Sequence, residues 1–383
     1  MGMRPLRWSF SLVLVVVGSL PTVSVARAIP IRSSGSHASP AITSAWLSTV
    51  VHSIRMFKSP DSVRAEQPVA IEQLEVLHIW RAEANQAFAD FGWSVGAAGD
   101  VNGDGYDDVI VGAWAYDNGQ TDEGRAFVFE GSATGLSTTP NWTAESNQAS
   151  ALFGYSVGTA GDVNGDGYDD VVIGAEQYSN GQSYEGRALV YHGSAVGLSS
   201  VPNWTAESDQ TDAYFGASVR TAGDVNGDGY DDVVVGAPSY TNGQSNEGRA
   251  FVYHGSATGL STTPDWTAES NEVGANFGNS VGTAGDVNSD RYIDVIVGAY
   301  HYQNGQNAEG GAFVYHGSPA GLSTSPNWTA ESNQAFAFFG ASVGTAGDVN
   351  GDGYSDVIVG APYYDHGQTD EGAAFAYRGR PGA

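Results

Sequence analysis

Between residues 142 and 194 four short runs of β-forming residues stand between turn signals. Trp142-Thr143-Ala144-Glu145 is the first. Residues 155–160 (Tyr-Ser-Val-Gly-Thr-Ala) are the second, 170–175 (Asp-Val-Val-Ile-Gly-Ala) the third and 186–192 (Gly-Arg-Ala-Leu-Val-Tyr-His) the fourth. Each run is short for a helix and is bounded by Gly, Asn or Asp, so each predicts a strand. Asn180-Gly181 predicts a tight turn between the last two.

The pattern returns with a period of 62 residues. Asp100, Asp162, Asp224, Asp286 and Asp348 keep that spacing, as do Trp80, Trp142, Trp204, Trp266 and Trp328. So do the Phe-Gly pairs that begin at Phe91, Phe153, Phe215, Phe277 and Phe339. Four short antiparallel strands per copy, repeated without insertions, predict the blades of a β-propeller. An open solenoid of the same units would need distinct polar caps. The last copy ends at Ala374-Phe375-Ala376-Tyr377 without a fourth strand, while residues 76–80 (Val-Leu-His-Ile-Trp) form a spare one ahead of the first copy. The reading is therefore all-β: a β-propeller of five four-stranded blades over residues 71–383, closed by an N-terminal strand. Closure would remove both exposed sheet edges.

The rest of the chain adds an address. Arg4 and Arg7, the apolar stretch 8–20 and Ala26-Arg27-Ala28 form an export signal over residues 1–28, cleaved near Ala28, and predict a secreted protein. The apolar run is too short to span a bilayer. Residues 29–70 read as a linker with one short helix, because Trp46, Leu47, Val50, Val51 and Ile54 have helical spacing. The chain has no cysteine, so disulfides are excluded, and a cysteine-free exported chain fits a bacterial source. Its 52 glycines suit a turn-rich β protein.

Charge narrows the partners. The formal net charge is −28, and it is unevenly placed. Only seven of 15 basic residues but 39 of 43 acidic ones follow position 81, so residues 82–383 sit near −32 with no lysine. Nucleic acid is excluded as a partner by repulsion of its phosphates, and bound cations would relieve the charge.

The acidic residues concentrate in one loop per copy. In Gly99–Ala113 side-chain oxygens fall at loop positions 1, 3, 5 and 9 (Asp100, Asn102, Asp104 and Asp108), with Gly105 at 6 and the Tyr106 carbonyl at 7. Hard oxygens converging around a sharp glycine turn suit Ca²⁺ better than Zn²⁺ or copper. Position 12 is Val111 where an EF-hand needs a bidentate Glu, so position 9 must supply the closing carboxylate and the chain leaves as a strand. The same ligand set recurs as Asp162, Asn164, Asp166, Tyr168 and Asp170, and as Asp224, Asn226, Asp228, Tyr230 and Asp232. It appears again as Asp348, Asn350, Asp352, Tyr354 and Asp356. The fourth copy keeps Asp286, Asn288, Asp290, Tyr292 and Asp294 but carries Ser289 at position 4 and Arg291 at position 6. A weaker fifth site is expected there.

Phe153-Gly154, the loop Asp162-Val163-Asn164-Gly165-Asp166-Gly167-Tyr168-Asp169-Asp170 and Gly174-Ala175 together resemble the FG-GAP repeat of the integrin α-subunit propeller. Gly236-Ala237-Pro238 and Gly360-Ala361-Pro362 carry the full tripeptide, and the resemblance covers residues 76–383. It implies Ca²⁺ in these loops at the base of a propeller. The departure is blade number, since integrins resemble a seven-bladed ring and this chain offers five copies.

The remaining repeated residues read as structural. His192, His254 and His316 recur at one position and suit packing or capping. Glu123, Glu185, Glu247, Glu309 and Glu371, with Arg125, Arg187 and Arg249, suggest local salt bridges or turn hydrogen bonds of small worth. The Asn-Trp-Thr triplets at Asn141, Asn203 and Asn327 match glycan acceptors, yet their fixed place says structure first. Tyr116, Tyr178, Tyr240, Tyr302 and Tyr364 read as packing residues, whereas Trp114, Tyr300 and His301 break the repeat and are the candidate ligand contacts. They lie on the face opposite the calcium loops, where a protein or carbohydrate ligand is expected. Three functions remain open: a secreted, non-catalytic calcium-stabilised adhesion module, a calcium-dependent lectin, and a hydrolase. The last ranks lowest, because no asymmetric Ser/His/Asp set, phosphate loop or zinc spacing is present.

Overall fold

The computed structural model describes residues 80–381, and a division at Val76 places all of them in one unit, Val76–Ala383. The export signal, the linker helix and residues 76–79 of the closing strand lie outside the described residues.

Among the described residues nineteen strands form five antiparallel sheets in chain order. The first holds β1 (Ser94–Gly99), β2 (Asp108–Ala113), β3 (Arg125–Phe129) and β4 (Trp142–Glu145). The second holds β5 (Phe153–Gly161), β6 (Asp170–Ala175), β7 (Arg187–Tyr191) and β8 (Trp204–Glu207). The third holds β9 (Ser218–Gly223), β10 (Asp232–Ala237), β11 (Arg249–Tyr253) and β12 (Trp266–Glu269). The fourth holds β13 (Ser280–Gly285), β14 (Asp294–Ala299), β15 (Gly311–Tyr315) and β16 (Trp328–Glu331). The fifth has three strands among the described residues, β17 (Ser342–Gly347), β18 (Asp356–Ala361) and β19 (Ala373–Tyr377). Each sheet is a meander, with neighbouring inner strands β1, β5, β9, β13 and β17 in contact.

The core lies between sheets. Ala98, Val101, Ile110, Ala126 and Val128 of the first sheet meet Phe153, Val157, Val171, Ile173 and Tyr191 of the second, and all are buried. Deleting a buried phenyl such as that of Phe153 would cost about 3–5 kcal/mol. Inner strands are tied by serine: the Val157 N–H donates to Ser94 Oγ at 3.1 Å, and the Val219, Val281 and Val343 N–H groups donate to Ser156, Ser218 and Ser280 in the same way. Outer strands are tied by tryptophan, whose Nε1–H in Trp142, Trp204 and Trp266 reaches a carbonyl in the next copy at 2.8 Å.

This contact explains the glycines of the Phe-Gly and Gly-Ala motifs. A Cβ on Gly112 would lie 2.0 Å from the carbonyl oxygen of Gly154 in the next sheet, and Gly174 stands in the same way to Gly216 at 1.9 Å. Backbone touches backbone at these points, so no larger residue fits.

The two end sheets differ from the rest. Val95 is 59% exposed where its counterparts Val157 and Val219 are at 0%, and Val349 is 62% exposed against 0% at Val163. Val111, Ala113, Phe127 and Phe129, with Trp80 and Phe91 beside them, form half of an inter-sheet core whose other half is absent among the described residues. A cavity of about 430 Å³ opens on Phe91, Phe127 and Phe129. The ring is thus not closed among the described residues. Trp80 nevertheless stands on Phe129, ring centroids 4.8 Å apart, as Trp142 stands on Tyr191, and donates to Ser137 O at 2.7 Å. It occupies the outer-strand place of a sheet that would precede the first.

Candidate functional site: acidic loops and the opposite face

The acidic loops join each inner strand to the next strand and are built alike. Asp162 Oδ1 accepts the Asp166 N–H at 3.1 Å and Oδ2 accepts the Gly167 N–H at 2.8 Å. Asn164 Oδ1 accepts from Asp166 at 2.9 Å, and Asp166 Oδ1 accepts from Tyr168 at 3.1 Å. Positions 1, 3 and 5 therefore shape the loop from inside while leaving oxygen lone pairs free. Position 6 is left-handed in all five copies, with φ of 88–90° at Gly105, Gly167, Gly229 and Gly353 and 79° at Arg291. Position 4 is left-handed too, including Ser289 at 60°.

Position 9 does more than the sequence suggested. Asp108, Asp170, Asp232, Asp294 and Asp356 are fully buried. Asp170 Oδ2 accepts the Val163 N–H at 3.0 Å and Oδ1 accepts the Gly193 N–H at 2.9 Å, so this carboxylate staples the loop to the β7–β8 connection. Burial pushes Asp170, Asp232 and Asp294 up to about 7, against the pull of those two donors. A buried acid that cannot easily ionise alone fits a nearby cation. The donor set, all carboxylate, amide and carbonyl oxygen, fits a hard divalent ion.

The side chains at positions 7 and 8 couple one loop to the next, a role not read from the sequence, where position 7 stood only for its carbonyl. Position 8 of a loop accepts from position 1 of the loop before, as Asp169 Oδ2 does from the Asp100 N–H at 2.8 Å and Asp231 from Asp162 at 3.0 Å. Position 7 presses its ring on the preceding loop, where a Cβ on Gly103 would lie 2.5 Å from Tyr168. In the fourth copy position 8 is Ile293, so this carboxylate link ends there.

The opposite face carries the departures from the repeat. The residue before each Phe-Gly is left-handed without being glycine: Asp90, Leu152, Tyr214, Asn276 and Phe338, with φ between 51° and 57°. Five different side chains stand on one recurring, strained backbone, that of Leu152 buried. The residues after Phe-Gly (Trp93, Tyr155, Asn279) and after Gly-Ala (Trp114, Glu176, Tyr300) vary in the same way. Trp93 lies 6.1 Å from Trp114 and 5.8 Å from Tyr155, while Tyr300, His301, Phe338 and Tyr363 form a second aromatic group with centroids 4.1–5.7 Å apart. Burial pushes the Tyr155 phenol up to about 12, aided by Glu176 and Tyr300, and pushes the Glu176 carboxyl up to about 7. The structure thus joins Trp114 to one aromatic group, and Tyr300 and His301 to another. Trp93, Tyr155, Glu176 and Phe338 were not singled out from the sequence, although variation at a fixed repeat position was the available signal.

Other recurring residues take structural places. The rings of His192 and His254 lie against Gly259 and Gly321 of the following copy, and Asn203 Oδ1 accepts the His192 N–H at 2.9 Å. The five tyrosines pack as expected, Tyr178, Tyr240, Tyr302 and Tyr364 against inter-sheet cores. Asn180-Gly181 is not a two-residue hairpin, because β6 ends at Ala175 and β7 begins at Arg187. That long connection is held instead by buried Glu185, which accepts the Asn180 N–H. The arginines pair with the outer strand rather than with these glutamates, as Arg249 does with Glu269 at 2.9 Å.

The model of the FG-GAP repeat matches residues 91–129, 153–191, 215–253 and 339–377. The chain carries FG-GAP repeats. Each match begins at the Phe of Phe-Gly and runs through the acidic loop to the end of the third strand of its sheet. The fourth FG-GAP-like copy, outside these spans, is the one with Ser289 and Arg291 in its loop. Among curated proteins the chain is similar to integrin alpha pat-2 of Caenorhabditis briggsae, 34% identical over 55% of this chain and 18% of that one. It is likewise similar to integrin alpha-V of Gallus gallus, 34% identical over 57% and 21%, and to integrin alpha-5 of Xenopus laevis, 33% over 62% and 22%. The chain spans about a fifth of the length of these relatives. Among solved structures an exotype rhamnogalacturonan lyase, YesX, aligns with a TM-score of 0.34 at 13% identity, over 73% of this chain and 57% of that one, too distant to carry an argument. Among the described residues no helix is long and apolar enough to cross a membrane.

Proposed function

We propose that this FG-GAP protein is a secreted, non-catalytic binding module whose acidic loops hold calcium and whose opposite face takes a protein ligand. The observation that carries the calcium half is the recurrence of one loop geometry five times, each with oxygens at positions 1, 3, 5 and 9 and a fully buried position-9 acid. Asp100, Asn102, Asp104, the Tyr106 carbonyl and Asp108 would hold the ion in the first copy, and the matching residues in the others. Calcium then offsets charge within a domain near −32 and clamps each inner strand to its neighbour. The similarity to integrin α chains supports a binding role. The varied aromatics of the opposite face supply large rigid contacts of the kind found at protein interfaces.

The test is thermal. Excess chelator should lower Tm and added Ca²⁺ should restore it by ligand linkage. An unchanged melting curve would sink the calcium reading. For the ligand, binding to a glycan array in calcium would replace the protein-ligand reading with a lectin.

A further inference from the structure

The four junctions between successive sheets are built alike. At each one the Oγ of an inner-strand serine accepts a valine N–H of the next copy at 3.1 Å. Beside it backbone meets backbone: a Cβ on Gly112, Gly174, Gly236 or Gly298 would lie 1.9–2.0 Å from a glycine carbonyl oxygen of the next copy. These four glycines lie within strands and have no positive φ, so the close approach alone accounts for them.

The end sheets carry the two halves of a fifth such junction. Gly360 of β18 stands at the place of those four glycines, yet a Cβ there would come no nearer than 3.6 Å to anything but its chain neighbours, and then to Ser342 of its own sheet. Glycine within a strand weakens it and marks the approach of another backbone, and among the described residues none approaches Gly360. Ser342 is the fifth inner-strand serine, with no valine of a following copy to accept from. At the other end Gly92, the counterpart of Gly154, would meet nothing within 4 Å through a Cβ. Side chains agree: Val95, Val349 and Ile358 are exposed, whereas Val157, Val163 and Ile110, at the same places in other copies, are fully buried.

We propose that the fifth sheet of one copy docks on the first sheet of a second copy, head to tail, through a junction of the same build as the other four. The Val95 N–H of one copy then donates to Ser342 Oγ of the other, Gly92 lies on Gly360, and Val95, Val349 and Ile358 become buried. Trp80, which holds the place of an outer strand ahead of the first sheet, arrives beside β19, whose outer edge has no fourth strand among the described residues. For the two halves to meet within one chain, all four junctions would have to turn from a geometry fixed by backbone contact. Between two chains nothing has to change. The two surfaces differ, so the contact is heterologous and passes from copy to copy until the rotation closes a ring or runs on as a filament. It rests on neither the calcium nor the ligand reading.

Light scattering on the full chain should give a mass that rises above one copy with concentration. Val95→Glu and Val349→Glu each put a charge where the single chain is exposed, so each should fold as wild type does yet stay at one copy. Mixed in equal amounts, the two variants should form pairs and stop there, because the mixture holds one intact face of each kind. A wild-type mass of one copy at every concentration would overturn the proposal, as would variants that associate like wild type or a mixture that stays single or grows past two. The chain has no cysteine, so Val95→Cys combined with Ser342→Cys identifies the occupant. Oxidation should join different copies. A bond within one copy would show the chain closing on itself and overturn the proposal, and no bond in an associated sample would place the contact elsewhere and overturn it too.

Discussion

The fourth acidic loop offers a quantitative test, because nature has substituted the glycine that its sisters keep. Arg291 holds φ at 79°, and Ser289 two residues earlier holds 60°, where Gly167 and Gly165 have 89° and 72°. The position-6 hydrogen bond is nevertheless kept: Asp286 Oδ2 accepts the Arg291 N–H at 2.8 Å, as Asp162 Oδ2 accepts that of Gly167. A side chain with a Cβ in left-handed backbone costs about 1–2 kcal/mol. If that strain is borne in the calcium-bound loop, affinity falls roughly five- to thirtyfold, since ~1.4 kcal/mol is one decade. The exposed guanidinium adds a smaller, salt-screened repulsion. Arg291→Gly should therefore tighten the weakest calcium site by about tenfold on these figures. Arg291→Ala should recover only the electrostatic part, because it removes the charge and keeps the Cβ. Calorimetric titration of wild type and both variants at two salt concentrations separates the contributions. Identical isotherms for wild type and Arg291→Gly would refute the argument, and an equal gain from Arg291→Ala would assign the effect to charge alone.

Two other expectations follow from burial. Glu176 is held up to about 7 by desolvation, against an ordinary value of 4.5, so the folded chain keeps its proton where the unfolded chain has lost it. Its destabilising contribution is absent below about pH 4.5, grows through pH 7 and is then constant, so Glu176→Gln should be neutral at pH 4 and stabilise by at most about 3 kcal/mol at pH 8; urea unfolding at the two pH values checks this, and a pH-independent difference contradicts it. Closure is tested at the ends: if residues 76–80 complete the fifth sheet and the two half-cores meet, deleting residues 71–81 should lower Tm and promote aggregation far more than deleting 29–60. Equal stability of the two truncations would leave the ends open, as the 62% exposure of Val349 describes them.

The sequence by itself determined the repeat, the strand count per copy and the acidic loops, because each rests on local chemistry. Alternation and turn residues fix strands, an invariant 62-residue period fixes identical units, and oxygens at alternate loop positions fix the kind of ion they suit. Even the oddity of Arg291 was legible, since glycine at one turn position has a single steric reason. What only the tertiary structure decided lies where one copy meets the next. Gly112 is glycine because Gly154 of another sheet touches it, and Asp169 matters because it accepts from Asp100 sixty-nine residues earlier. Asp108 proved to be a buried staple as well as a loop oxygen, and Glu185 makes the expected turn hydrogen bond but does so from a fully buried place and without the arginine. Burial and long-range pairing depend on which faces are covered, and a period in sequence carries no information about coverage. The same limit applies at the two ends, where residues identical in type to buried ones stand exposed: a half-core is complete only if its other half arrives, and that is a property of the assembled molecule.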